Sequence, residues 1–155
     1  MVKFNSKLTS TNQDSENNQN YEWWNENPMT YDWDQKIDSN KIDLNFFKNI
    51  DNEFAYGHSL VNNPEWPKGH ILEKFIPYQR LTNKKVLEIG CGAGLVSQHL
   101  AMAGSDLTTI DITEKAIELT KKRFDLNKIE GKIIKMDAEN TRFNNDIFDY
   151  IISWG

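Results

Sequence analysis

The second half of the sequence predicts an α/β fold built on a parallel β-sheet. From Lys84 onward, short apolar runs alternate with stretches whose apolar residues recur at helical intervals. This alternation is typical of βαβ units and of a parallel sheet. A cluster of glycines also follows the first apolar run, at the point where a strand would turn into a helix. These two observations predict that residues 84–155 form one α/β unit.

The strands and helices of this unit follow from the pattern in chain order. KVLEIG at 85–90 predicts the first strand, and the periodic run at 95–104 predicts a helix that Gly104 closes. Thr113 is the expected cap of a second helix that runs to about Asn127. The remaining strands are predicted at DLTTID (106–111), KIIKMD (132–137) and FDYIIS (148–153).

The first half of the chain divides into a tail and an extension. Residues 1–20 are mostly polar and predict a disordered tail, because such a segment buries too little apolar surface to offset the entropy of ordering. Residues 21–83 predict a helical and aromatic extension with two helices. Their inward residues are expected to be Ile42, Phe46, Phe47, Ile50 and Phe54 in the first helix, and Ile71, Leu72, Phe75 and Ile76 in the second. The leader of this extension, with Trp23, Trp24, Tyr31 and Trp33, is interpreted as packing on the sheet rather than as a lid over a substrate.

Composition limits the expected partners and compartment. The formal net charge of -5 disfavours nucleic acid and anionic membranes as partners, because like charges repel a phosphate surface. Cys91 is the single cysteine, so no intrachain disulfide can form. The sequence shows neither an apolar secretory signal nor a run of about 20 apolar residues that could cross a bilayer. The expectation is a soluble, cytoplasmic protein.

The strongest candidate binding site is the glycine cluster between Glu88 and Gly94. Glycine adopts positive φ and lets a ligand lie against backbone N–H groups at a helix N-terminus, which suits an anionic group. Asp111 ends the second strand, where an acid of a doubly wound fold can accept hydrogen bonds from both ribose hydroxyls. Asp137 ends the third strand and can accept from an adenine amine. The alternatives are a plain βα turn, a helix-capping aspartate at Asp111 and an ordinary loop aspartate at Asp137.

Four segments in this order resemble the motifs of the class I S-adenosylmethionine-dependent methyltransferases: VLEIGCGAG, TIDIT, KMDAEN and FDYIISWG. The resemblance covers about Lys84 to Gly155, and it implies a Rossmann-like sheet in which strands 3-2-1-4 are present and the later strands are missing. It also implies S-adenosyl-L-methionine as the cofactor. The implied cofactor-binding residues are Glu88 and the backbone of Gly90, Cys91 and Gly92 at the methionine moiety, Gly94 in the same loop, Asp111 at the ribose, Ile112, Asp137 and Ala138 at the adenine, and Ser153 at the amino group.

The resemblance implies in-line methyl transfer, in which the protein holds the nucleophile and the methyl group close and collinear. A small-molecule acceptor is expected, without a metal, and no catalytic residue is assigned. His99 is interpreted as structural or on the surface, and His58 and His70 as isolated side chains without a metal-ligand partner. One alternative is a fragment that binds the cofactor without catalysis. A nicotinamide dinucleotide fold is another, and it is disfavoured because Leu95 stands where its third glycine would fall.

The predicted fourth strand is strongly apolar and would form an edge of the sheet. An unpaired apolar edge strand favours pairing between molecules. The sequence therefore predicts a truncated methyltransferase domain that self-associates through its fourth strand.

Overall fold

The computed structural model describes residues 19, 21–27, 40–57 and 69–154. The tail predicted over residues 1–20 therefore lies outside the described residues except for Gln19. His58, Tyr31 and Trp33 lie outside them as well.

Four parallel strands form one sheet at the centre of the described structure. They are β1 (Lys85–Ile89), β2 (Asp106–Asp111), β3 (Lys132–Lys135) and β4 (Tyr150–Ser153). Their order is β3-β2-β1-β4, so β1 and β2 lie inside the sheet. This arrangement confirms the predicted α/β class, the Rossmann-like sheet and its strand order, although β3 and β4 are each two residues shorter than predicted.

The helices begin and end where local capping signals place them. They are α1 (Leu44–Gly57), α2 (Leu95–Met102) and α3 (Glu114–Asn127), and residues 21–26 are also helical. The Thr113 hydroxyl accepts a hydrogen bond from the Ala116 N–H and caps α3, as predicted. Gly104 follows α2 at φ +82° and ends it, also as predicted. Within the described ranges, every helix is too short or too polar to cross a membrane.

The prediction of a second helix in the extension is wrong. Residues 71–75 form turns, and only Tyr78–Arg80 form a short 3-10 helix. Pro77 disfavours helical backbone at the residue before it, and Leu72 takes φ +57°, which no α-helix accommodates. Phe75, expected to face inward, is 61% exposed, and its ring centroid lies 6.0 Å from that of Trp154. The other three predicted core residues, Ile71, Leu72 and Ile76, are buried.

The main hydrophobic core joins the extension to the α/β unit. Phe54 of α1, together with Ile71 and Leu81, packs in one cluster with residues of β1, β2, α2 and α3. The members of this cluster are Phe54, Ile71, Leu72, Ile76, Tyr78, Leu81, Val86, Leu95, Val96, Leu100, Leu107 and Phe124. The predicted apolar stripe of α1 is confirmed, since Phe46, Phe47, Ile50 and Phe54 are all buried and Ile42 is half-buried.

The described part of the aromatic leader contacts the start of α3 and the end of β3. The Lys115 N–H donates to the Asn25 side chain at 3.4 Å, and the Lys135 ammonium lies 5.4 Å from the centroid of the Tyr21 ring. Trp23 and Trp24 are nevertheless 47% and 37% exposed. The packing predicted for the leader is therefore not found for these two rings.

Candidate functional site

The glycine loop, residues 90–94, joins β1 to α2 at the carboxyl edge of the sheet. Gly90, Gly92 and Gly94 all have positive φ, at +80°, +52° and +78°. The N–H groups of Gly90 and Cys91 both donate to the Ile110 carbonyl, at 2.9 and 3.2 Å. These bonds fix the loop to the end of β2, and they mean that neither N–H is a free donor for a ligand.

The glycines at the two ends of the loop have different surroundings. A Cβ at Gly90 would meet no atom within 4 Å. A Cβ at Gly94 would lie 2.9 Å from the Thr120 hydroxyl and 3.0 Å from its methyl group. Gly94 is therefore needed for packing against α3, whereas Gly90 leaves open space into which a ligand can fit.

Asp111 lies beside the loop, at the end of β2. One carboxylate oxygen accepts from the Gly92 N–H at 3.1 Å, and the other accepts from the N–H and the hydroxyl of Thr113, each at 2.9 Å. Thr113 itself caps α3, so Asp111 holds the cap residue in place and does not cap the helix directly. The ribose-binding role stays a prediction, and the half-buried carboxylate stands next to the glycine loop as that role requires.

Glu88 lies on β1 with its carboxyl group turned into the domain. It is buried, and it accepts hydrogen bonds from the hydroxyls of Ser97 on α2 and Thr109 on β2. Burial raises the pKa of Glu88 to about 7, against the lowering effect of these hydroxyl donors. The predicted contact with the methionine moiety stays a prediction. The parallel register pairs Glu88 with Thr109, and the packing of α2 on the sheet brings Ser97 to the same carboxylate.

Glu88→Gln is expected to change how stability depends on pH. The folded-state pKa lies above the ordinary value of 4.5, so the stability that Glu88 contributes is fully present below pH 4.5 and is lost as pH rises through about 7. Glutamine keeps an acceptor for both hydroxyls and never ionises. Its free energy of unfolding should therefore exceed that of the parent by about 3 kcal/mol at pH 8, with little difference near pH 4. Denaturant titrations across this range measure the difference, and a pH-independent gap would contradict the assignment.

The remaining predicted site residues lie at the same edge of the sheet or next to it. Ile112 follows β2 and is 36% exposed. The Asp137 carboxylate accepts from the Glu139 N–H at 2.9 Å and caps the 3-10 helix Ala138–Asn140. Ser153 ends β4 and pairs with Ile89 of β1, directly before the glycine loop. The carboxyl ends of parallel strands share one edge, so the fold brings the four strand ends together.

Cys91 is the one predicted loop residue whose side chain is buried in the interior. The Thr120 hydroxyl lies 3.3 Å from its sulfur and 3.2 Å from the Gly92 carbonyl. Burial raises the pKa of the Cys91 thiol, which keeps it protonated. Cys91 can therefore contribute its backbone to a site, but not a reactive thiolate.

His70 and His99 form a pair that the sequence did not reveal. Their Nδ1 atoms lie 3.2 Å apart, and the His70 ring stacks on Tyr78 with centroids 4.2 Å apart. Burial lowers the pKa of His99 to about 4, so His99 is neutral at neutral pH. Its interpretation as a structural residue is consistent with this burial. Among the residues that the structure describes, no three or more His, Cys, Asp or Glu side chains cluster as metal ligands would.

Comparison with known proteins relates the α/β unit to a family. Residues 86–155 match the methyltransferase domain family. The ubiquinone biosynthesis O-methyltransferase of Hydrogenovibrio crunogenus is 30% identical over 92 residues, which are 52% of this chain and 38% of that protein. The corresponding enzyme of Haemophilus ducreyi is 35% identical over 65 residues, 42% of this chain and 28% of that protein. The chain thus spans well under half the length of these curated relatives.

A solved structure, that of the PH0226 protein from Pyrococcus horikoshii, aligns with a TM-score of 0.45 and 28% identity over 52% of this chain and 36% of that one. The sheet order, the glycine loop between β1 and α2 and the family match lead to one assignment. Together they support a class I S-adenosylmethionine-dependent methyltransferase domain over residues 86–155, with S-adenosyl-L-methionine as its cofactor.

Proposed function

We propose that this chain acts in S-adenosylmethionine-dependent methyl transfer to a small-molecule acceptor. The observation that carries the proposal is the open space at Gly90, beside the half-buried carboxylate of Asp111 and at the shared edge of four parallel strands. When bound there, S-adenosyl-L-methionine supplies an activated methyl group for in-line transfer to a nucleophile. The protein binds the cofactor, orients it towards the acceptor and excludes water from the site.

The residues present fit such a ligand by shape and by acceptor chemistry. The loop contributes space more than free donors, because the N–H groups of Gly90, Cys91 and Gly92 all donate within the protein. The Gly92 N–H becomes available if Asp111 turns its carboxylate to the ribose hydroxyls. In this proposal, Glu88 and the glycine loop hold the methionine moiety, and Asp111 holds the ribose. The adenine is held by Ile112, Asp137 and Ala138, and the amino group is held by Ser153.

The acceptor is proposed to be a small molecule with an oxygen nucleophile. Both curated relatives described above are named ubiquinone biosynthesis O-methyltransferases, and their names support an acceptor of this class. The expectations of no nucleic-acid partner, no membrane partner and a cytoplasmic location stay predictions. Self-association through β4 also stays a prediction, and Ile151 on that strand is 64% exposed.

Titration calorimetry of the full chain with S-adenosyl-L-methionine tests the proposal. Asp111→Ala is expected to weaken binding by about 1.5 to 3 kcal/mol, because the ribose hydroxyls lose a charged acceptor. Asp106→Ala is the matched control, since Asp106 begins the same strand and its side chain forms an exposed 3.5 Å pair with Lys132. It should bind like the parent.

The outcomes separate the alternatives. A parent chain that does not bind the cofactor would contradict the proposal, and an Asp111→Ala variant with parental affinity would remove Asp111 from the site. Transfer of a labelled methyl group to phenolic small molecules would support the proposal that the chain is an active methyltransferase. Binding without transfer to any acceptor would favour the cofactor-binding alternative.

A further inference from the structure

Arg123 is a charged side chain with no exposed surface, and the role proposed for the site does not use it. It lies on α3, and its guanidinium spans the space between α1 and the glycine loop. Arginine is almost never fully buried unless it is paired. Its partners therefore show what the burial accomplishes.

The guanidinium binds two separate parts of the chain at once. Its Nε donates to the Ala93 carbonyl, in the glycine loop, at 2.8 Å. Its Nη2 and Nη1 donate to the two carboxylate oxygens of Asp51 on α1, at 2.7 and 3.0 Å. Nη1 also lies 3.3 Å from the Gln98 side-chain oxygen, and the Phe47 ring centroid lies 4.5 Å from the guanidinium carbon. The planar fork of arginine allows these bonds together, which the single ammonium group of lysine would not.

Burial of this ion pair costs free energy, because both charges lose their water. Burial raises the pKa of Asp51 even though Arg123 opposes the rise, so the surroundings disfavour the ionised carboxylate on balance. Buried ion pairs of this kind can be replaced by apolar residues of similar volume with little loss of stability. The burial of this pair is therefore better explained by the position in which it holds the guanidinium than by added stability.

We propose that Arg123, held in place by Asp51, is a positioning residue that fixes the Ala93 carbonyl and so the shape of the glycine loop. Helix α1 of the extension is thereby linked to the glycine loop through Asp51 and Arg123. The inference rests on the proposed function for its effect on binding, and its effect on the loop itself can be measured without any ligand.

The test removes both charges together, because a single substitution leaves an unpaired buried charge and can unfold the protein. The double variant Asp51→Leu/Arg123→Met replaces the pair with apolar side chains. It should stay folded, with S-adenosyl-L-methionine binding about 10-fold weaker than in the parent. In the absence of cofactor, the backbone amides of the glycine loop, Gly94 in particular, should exchange with deuterium about 10-fold faster in this variant than in the parent. A purely structural pair would change the global stability but not this local exchange.

The matched control is the double variant Asp106→Leu/Lys132→Met, which replaces an exposed ion pair at the amino ends of β2 and β3. It should leave both the affinity and the loop exchange at parental values. Parental loop exchange in a folded Asp51→Leu/Arg123→Met variant would overturn the inference. If the parent chain binds no cofactor while loop exchange still rises in this variant, the positioning role stands and the proposed function fails. Faster loop exchange with parental affinity would overturn the link between Arg123 and cofactor binding.

Discussion

Gly90→Ala is expected to weaken binding of S-adenosyl-L-methionine about 10- to 100-fold, while the fold is retained. The new methyl group meets no protein atom within 4 Å, so it enters only the space proposed for the ligand. The positive φ of +80° adds about 1 to 2 kcal/mol of backbone strain. Titration calorimetry measures the affinity, and denaturant titration measures the strain.

Gly94→Ala is the matched comparison, because Gly94 has almost the same φ, +78°. Its methyl group would overlap with Thr120 at 2.9 Å, so this variant should lose about 1 to 3 kcal/mol more stability than Gly90→Ala. The two variants thus carry similar strain but place the methyl group in different surroundings. Parental affinity in Gly90→Ala would show that the space at Gly90 is not part of the cofactor site.

Phe54→Ala is expected to destabilise the whole described fold by about 3 to 5 kcal/mol, because it empties a fully enclosed site in the main core. Phe54 is 1% exposed and packs in the same cluster as Leu95 and Leu107 of the α/β unit. Circular dichroism and tryptophan fluorescence should therefore report one shared unfolding transition. A transition that leaves the sheet intact would mean that α1 folds separately from it.

Phe75→Ala is the control for this cavity, since it deletes the same side chain at an exposed position. We expect a change within about 0.5 kcal/mol. A large loss at Phe75 would show that its contact with the Trp154 ring carries more of the fold than its exposure suggests.

The features predicted correctly from the sequence depend on local chemistry. The alternation of apolar runs with helical periodicity identified the parallel sheet because each segment carries its own pattern. Thr113 and Gly104 marked helix ends because a cap acts on backbone groups within a few residues. The glycine loop was visible for the same reason, since positive φ is a property of a single residue.

The helical spacing of apolar residues gave a wrong prediction where the backbone forms turns instead of a helix. Ile71, Leu72, Phe75 and Ile76 have helical spacing, yet the turns at 71–75 put Phe75 outside the core. Leu72 has a positive φ of +57° and is fully buried, and the spacing of the apolar residues contains neither property.

By itself, the sequence determined the fold class, the strand order through the family resemblance, and the edge of the sheet where the candidate site lies. Only the tertiary structure decided which polar groups meet in the interior. Arg123 and Asp51 lie 72 positions apart, His70 and His99 lie 29 apart, and Glu88 and Thr109 lie 21 apart. Such pairs carry no local signal, because a buried charge or hydroxyl finds its partner only when packing removes the competing water.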